Sequence, residues 1–150
     1  LFYTGLPSYE ETEEGLALYK ERSMGYLDRR RLKGYATRVL AVHKALNSGF
    51  KETFDELCKY NSKERSFNIT ARVKRGLQDT SKPGAFTKDI IYLKGYLKVL
   101  DYIRDGGDLD MLHLGKIGIK HANIYYEIAG LKHPGEILKK VYKVKKHPKA

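Results

Sequence analysis

A chain of 150 residues with 29 Lys and Arg against 18 Asp and Glu, a net charge of +11, is long enough to bury one sizeable core. With 41% hydrophobic and 31% charged residues it has the balance of a folded, water-exposed domain and not of a disordered segment. No apolar run approaches the ~20 residues that cross a bilayer, and one cysteine, Cys58, excludes an intramolecular disulfide, so a reducing, cytoplasmic setting is expected.

The chain reads as helix almost throughout. Ser8 with Glu11 fits a capping box ahead of a first helix over about Tyr9 to Ser23. Gly25 loosens the chain, and Asp28 can cap a second helix that runs through Leu40 and His43 to Leu46. Asn47-Ser48-Gly49 stops it. A third helix covers Lys51 to Tyr60. Between Ser62 and Leu77 the alternation of Phe67, Ile69, Ala71 and Val73 suits a strand, yet no partner strand is evident, and helix is the preferred reading.

Gln78 to Ala85 carries turn chemistry in Thr80-Ser81-Lys82-Pro83-Gly84. Thr87 then caps a long helix whose Ile90, Leu93, Leu97, Leu100 and Ile103 make a core-facing stripe. Gly106-Gly107 ends it. A short helix is expected from Asp108 to Leu114, another near Lys120 to Ala129, and a last one opened by Pro134. The expectation is an all-α fold, one compact domain over residues 1–150 with about six to eight helices and a basic tail over 139–150.

Charge is uneven along this chain. Residues 10–14 hold four Glu, Arg29-Arg30-Arg31 makes a basic cluster, and the tail is rich in Lys. These can be solvated faces. A field of this sign also attracts acidic partners, and a basic helical module binding nucleic acid or an acidic protein tail is one functional reading.

Candidate chemistry is sparse. The five His, at 43, 113, 121, 133 and 147, form neither His-x-x-x-His nor His-Glu-x-x-His, the spacings that set two imidazoles on one helical face. At about 100° per residue, Glu13 falls beside Lys20 and Glu14 falls between Ala17 and Leu18, so Glu14 is the inward carboxylate. Spacing alone is equally met by a solvated glutamate run. Arg72, Arg75 and Lys88 are candidates to hold a carboxylate, which a guanidinium binds with two parallel hydrogen bonds. Cys58, at helical spacing from Phe54, reads as an inert packed thiol.

Several segments occur together in a familiar order. Thr12-Glu13-Glu14-Gly15-Leu16-Ala17 is followed by Arg72-Val73-Lys74-Arg75-Gly76, by Phe86-Thr87-Lys88-Asp89, by Gly115-Lys116-Ile117 and by Gly130-Leu131-Lys132 with Pro134. In this the chain resembles the DUF1704 family, which includes the microtubule-associated tyrosine carboxypeptidases and bacterial relatives named for a QEGLA motif.

The resemblance implies a zinc metallopeptidase in which a His-Glu-x-x-x-His helix gives two ligands and the general base. The Glu of Glu-Gly-Leu-Ala then gives the third ligand, and only Glu14 carries over to this sequence, with Glu13 the weaker choice. It further implies a role for Arg72, Arg75 and Lys88 in the substrate pocket, with a peptide or protein C-terminus ending in Tyr or Phe as substrate. Because no His-Glu-x-x-x-His occurs here, the chain is expected to be the C-terminal portion of the catalytic domain. Its partner would be an N-terminal part of the same protein, with zinc in the intact protein, none on this chain alone, and no activity in isolation.

Overall fold

The computed structural model describes residues 4–123 together with Glu127 and His133. Among the described residues there are five α-helices, three 3-10 turns and no strand. The helices are α1 Tyr9–Ser23, α2 Arg29–Leu46, α3 Phe50–Cys58, α4 Lys63–Lys74 and α5 Ile90–Arg104. The all-α expectation is met. The helix expected after Pro134 and the basic tail lie outside the described residues, as does most of the one expected from Lys120 to Ala129.

The ambiguous segment is helical because its buried residues recur at helical, not alternating, spacing. Ser66, Ile69, Thr70 and Val73 are buried while Phe67 is exposed, so one face of α4 is covered. Ser62 caps this helix, its hydroxyl accepting from the Arg65 amide. Asp28 caps α2 as expected, its carboxylate accepting from the Arg31 amide at 2.7 Å.

Two expected caps differ. Ser8 has φ 69°, in the left-handed region, whereas an N-cap residue is extended. Glu11 reaches Lys98 at 2.5 Å instead of closing a capping box. Thr87 does not cap a helix either: it opens a 3-10 turn, Thr87–Asp89, that leads into α5.

The chain forms two compact units, Ala17–Lys94 and Leu1–Leu16 with Gly95–Ala150. The core of the first is built by α2, α3 and α4, from Ala41, Val42, Ala45, Leu57, Ile69 and Val73, with Leu40, Ala85 and Ile90 packed against it. Burying each of the larger side chains is worth about 1.5–3 kcal/mol. Two of the polar residues inside this core are satisfied locally, whereas the buried Ser66 hydroxyl has no partner among the described residues. The hydroxyls of Thr53 and Thr70 donate to the carbonyls four residues back, at 2.7 and 2.8 Å.

The other unit joins the first half of α1 to the second half of α5 and the segment after it. Met111, Leu112 and Ile117 are buried there. The Leu6 amide donates to Lys116 O at 2.8 Å, and the Ile119 amide donates to the Thr12 hydroxyl at 3.1 Å.

Candidate functional site

Within the Ala17–Lys94 unit, the Arg-x-x-Arg-Gly segment meets the Phe-Thr-Lys-Asp segment. The contact is made residue by residue. Arg72 donates two parallel hydrogen bonds to Asp89, Nε to Oδ2 at 2.5 Å and Nη2 to Oδ1 at 2.9 Å. The carbonyl of Val73 accepts from the Phe86 amide at 2.7 Å. Lys74 sends its ammonium to three carbonyls, of Ala45, Ser48 and Lys82, at 3.2, 2.5 and 2.8 Å. Arg75 lays its guanidinium over the Phe86 ring, 3.8 Å from the centroid. Four successive residues therefore hold one loop. α4 ends here, and Gly76 at φ 78° turns the chain away.

The electrostatics follow from burial. Asp89 is 1% exposed. Burial pushes its carboxyl upward, but the hydrogen bonds and charge of Arg72, with Arg38 and Arg75 beyond, outweigh this and hold it below the usual aspartate value. Lys74 is also 1% exposed, and burial draws its ammonium below the usual lysine value, with Glu52 opposing. Its three N–H bonds each find a carbonyl, which is how a charge survives at that depth.

The loop is fixed from other sides as well. The Gly84 amide donates to Ala45 O and the Phe50 amide to Thr80 O, both at 2.9 Å. A side chain at Gly49 would strike the Ser81 carbonyl, so glycine is needed where α3 begins.

The candidate substrate-binding residues are thus partly brought together. Arg72 and Arg75 face the same loop, Arg72 committed to Asp89 and Arg75 exposed over Phe86. Lys88 sits exposed on the 3-10 turn that follows the loop, next to Asp89. Lys74 and Asp89, the buried pair of charges that organise this junction, were not singled out from sequence for that role. The one signal was that each lies inside a motif.

In the other unit, Glu13 is exposed and Glu14 half-buried, as the helical wheel requires. Neither carboxylate of this pair makes a hydrogen bond or ion pair with the described residues. Beside Glu14, Gly15 packs on Gly95: a side chain on Gly15 would overlap the Gly95 carbonyl, and one on Gly95 would overlap the Glu11 carbonyl. The α1 and α5 backbones touch at that point, which only glycine allows. Glu11, one turn before Glu14, is held by Lys98. Glu11 and Lys98 border a cavity of about 470 Å³ that Thr12, Asp101, Tyr102 and Ile119 also line.

Among the described residues, no three His, Cys, Asp or Glu side chains converge as a metal site would require. Glu14 by itself does not make a zinc centre.

A helical chain with these motif segments falls within a carboxypeptidase family. Residues 1–147 match the family model described as microtubule-associated tyrosine carboxypeptidase, and the chain belongs to that family. It is 36% identical over 118 residues to the microtubule-associated tyrosine carboxypeptidase 1 of Mus musculus, covering 75% of this chain and 24% of that protein. The Rattus norvegicus protein of the same name gives the same identity and coverage. The Homo sapiens one is 35% identical over 118 residues, again 75% of this chain and 24% of the relative. The chain spans about a quarter of the length of the curated relatives it matches.

Proposed function

We propose that this chain is part of a zinc-dependent carboxypeptidase that removes a C-terminal tyrosine or phenylalanine from a peptide or protein. In this reading Glu14 is one zinc ligand and the remaining ligands come from outside the described residues. Supporting it most directly is the half-buried carboxylate of Glu14, which has no hydrogen bond or ion pair among the described residues, at the head of Glu-Gly-Leu-Ala in a chain whose relatives are named tyrosine carboxypeptidases. Leaving a carboxylate half-buried without a base costs free energy, and a cation would offset it.

Arg75 and Lys88 then meet the substrate. Arg75 is exposed and pinned over Phe86, so its fork is pre-oriented for a terminal carboxylate. Arg72 contributes mainly by position, since two of its five N–H donors are taken by Asp89. A cytoplasmic setting fits a chain whose described residues contain no helix long and apolar enough to cross a membrane. The 150-residue chain alone is inactive in this reading, because one carboxylate cannot hold the ion.

The test is zinc content by mass spectrometry, together with tyrosine release from a C-terminal peptide. Both are measured on the encoded protein containing these residues and on its Glu14→Gln variant. Stoichiometric zinc and release, both lost in the variant, are expected. A variant that keeps its zinc overturns the ligand assignment, and a zinc-loaded protein that releases no terminal residue overturns the peptidase reading.

A further inference from the structure

A second candidate site lies in the Ala17–Lys94 unit, away from the 72–89 junction in sequence. Arg38 and Arg65 line one cavity of about 400 Å³, with Gly34, Ser62, Glu64 and Asn68. A smaller adjoining cavity of about 220 Å³ shares Gly34, Arg38 and Arg65 and adds Arg31 and Tyr35. Three guanidinium groups thus border one concave surface of small-molecule size.

Their pairing is uneven. Arg31 is used: it lies 3.0 Å from Glu21 and donates to the Tyr26 carbonyl. Arg38 stacks near the Tyr35 ring, at 5.3 Å, and Arg65 is half-buried. Neither has a carboxylate within ion-pair distance among the described residues. Arg38 acts on Asp89 only at longer range, that carboxylate being bonded to Arg72. Two cations bordering one cavity repel one another, and a bound anion turns that repulsion into attraction.

Gly34 supplies an independent observation. It stands inside α2, where glycine costs about 1 kcal/mol relative to alanine. A Cβ there would lie 3.0 Å from Arg65 Nη2, so glycine leaves the guanidinium room to lie against the helix and present its fork to the cavity. The Ser62 hydroxyl and the Asn68 amide add neutral donors at the rim, and Glu64 is the one acid among the lining residues.

We infer that this cavity binds a phosphate-bearing small ligand, a diphosphate or the diphosphate of a nucleotide, with Arg38 and Arg65 as its forks. Phosphate oxygens match guanidinium donors two at a time and carry the charge opposite to that of the two cations. Nucleic acid would call for an extended basic track, whereas here the bases border a small open concavity with Glu64 on its edge. This inference goes beyond the peptidase reading and uses none of its residues.

The experiment is calorimetric titration of the encoded protein containing these residues with inorganic pyrophosphate at 0.15 M salt, alongside ADP. One-to-one binding is expected. Removing a guanidinium that hydrogen-bonds a charged group should weaken it about ten-fold or more in Arg38→Ala and in Arg65→Ala. Lys20→Ala, which removes the same charge from exposed helix surface, should stay within about two-fold. Arg65→Lys keeps the charge without the fork and is read by the same criterion should Arg65→Ala not fold. Equal affinity for pyrophosphate and ADP identifies the phosphates alone as the ligand, and tighter ADP binding identifies a nucleotide. Absence of saturable binding, or Lys20→Ala weakening it as much as Arg65→Ala, overturns the site.

Discussion

Arg72 and Asp89 are 17 residues apart in sequence and share two parallel hydrogen bonds, at 2.5 and 2.9 Å, with the carboxylate 1% exposed. Removing one partner of a buried ion pair costs about 3–5 kcal/mol. The Arg72 side chain is 40% exposed, so the cost here is set lower. Asp89→Asn should lower the unfolding free energy by ~2 kcal/mol, read as a shifted urea midpoint.

Acid should act on the same pair. The folded carboxyl titrates below its usual value, so its stabilising contribution is complete above about pH 3.9. It is lost as pH falls below that, when the unfolded chain takes up the proton first. Wild-type stability should therefore drop more steeply between about pH 4 and pH 2 than that of Asp89→Asn. Parallel curves for the two proteins would count against the assignment.

Lys74 should show the opposite sign. Burial lowers its pKa, so between the folded value and the usual 10.5 the unfolded chain binds more protons and stability rises with pH. Lys74→Met removes that rise and also takes the ammonium donor from the carbonyls of Ser48 and Lys82, while Ala45 O keeps the Gly84 amide. Near pH 7 this variant should lose ~2–3 kcal/mol, since unsatisfied buried carbonyls outweigh the relief of a buried charge. A variant as stable as wild type at pH 7 would refute the clamp.

The Gly15–Gly95 crossing should tolerate no side chain. Gly15→Ala and Gly95→Ala each place a methyl group on opposing backbone, and each should cost ~1–3 kcal/mol despite the better helix propensity of alanine. Thermal unfolding of the two variants checks this. Glu14→Gln, by contrast, removes no contact with the described residues and should change stability by less than about 0.5 kcal/mol.

Helix positions were legible because they rest on local signals. Asp28 caps α2 as its residue type announces, whereas the Ser62 cap and the 66, 69, 70, 73 spacing of α4 emerge only with the burial pattern, the sequence favouring helix there for want of a partner strand. Ser8 and Thr87 misled because a capping residue is recognised by its type, whereas its conformation is set by what packs around it. Glu11 is drawn to Lys98, 87 residues away, and no local pattern reports that. At the 72–89 junction the sequence offers the charges but not their depth. Arg72 reads as a surface base until Asp89 is seen beneath the fold's surface, and Lys74 lies between residues that give no hint of its burial. The exposure of Glu13 and the half-burial of Glu14 were legible because a helix turns by a fixed angle.

The loop that links α4 to α5 has no helix or strand of its own over residues 77–86, yet its Gly84 and Phe86 amides are bonded to core carbonyls. Lys74 and Arg75 pin it at two further points, on Lys82 and Phe86, and Arg72 holds Asp89 just beyond it. Such amides can meet solvent only when the three-helix core itself opens. In deuterated water Gly84 and Phe86 should exchange as slowly as Val42 and Leu57, so that by the clock of isotope exchange this irregular stretch is part of the core.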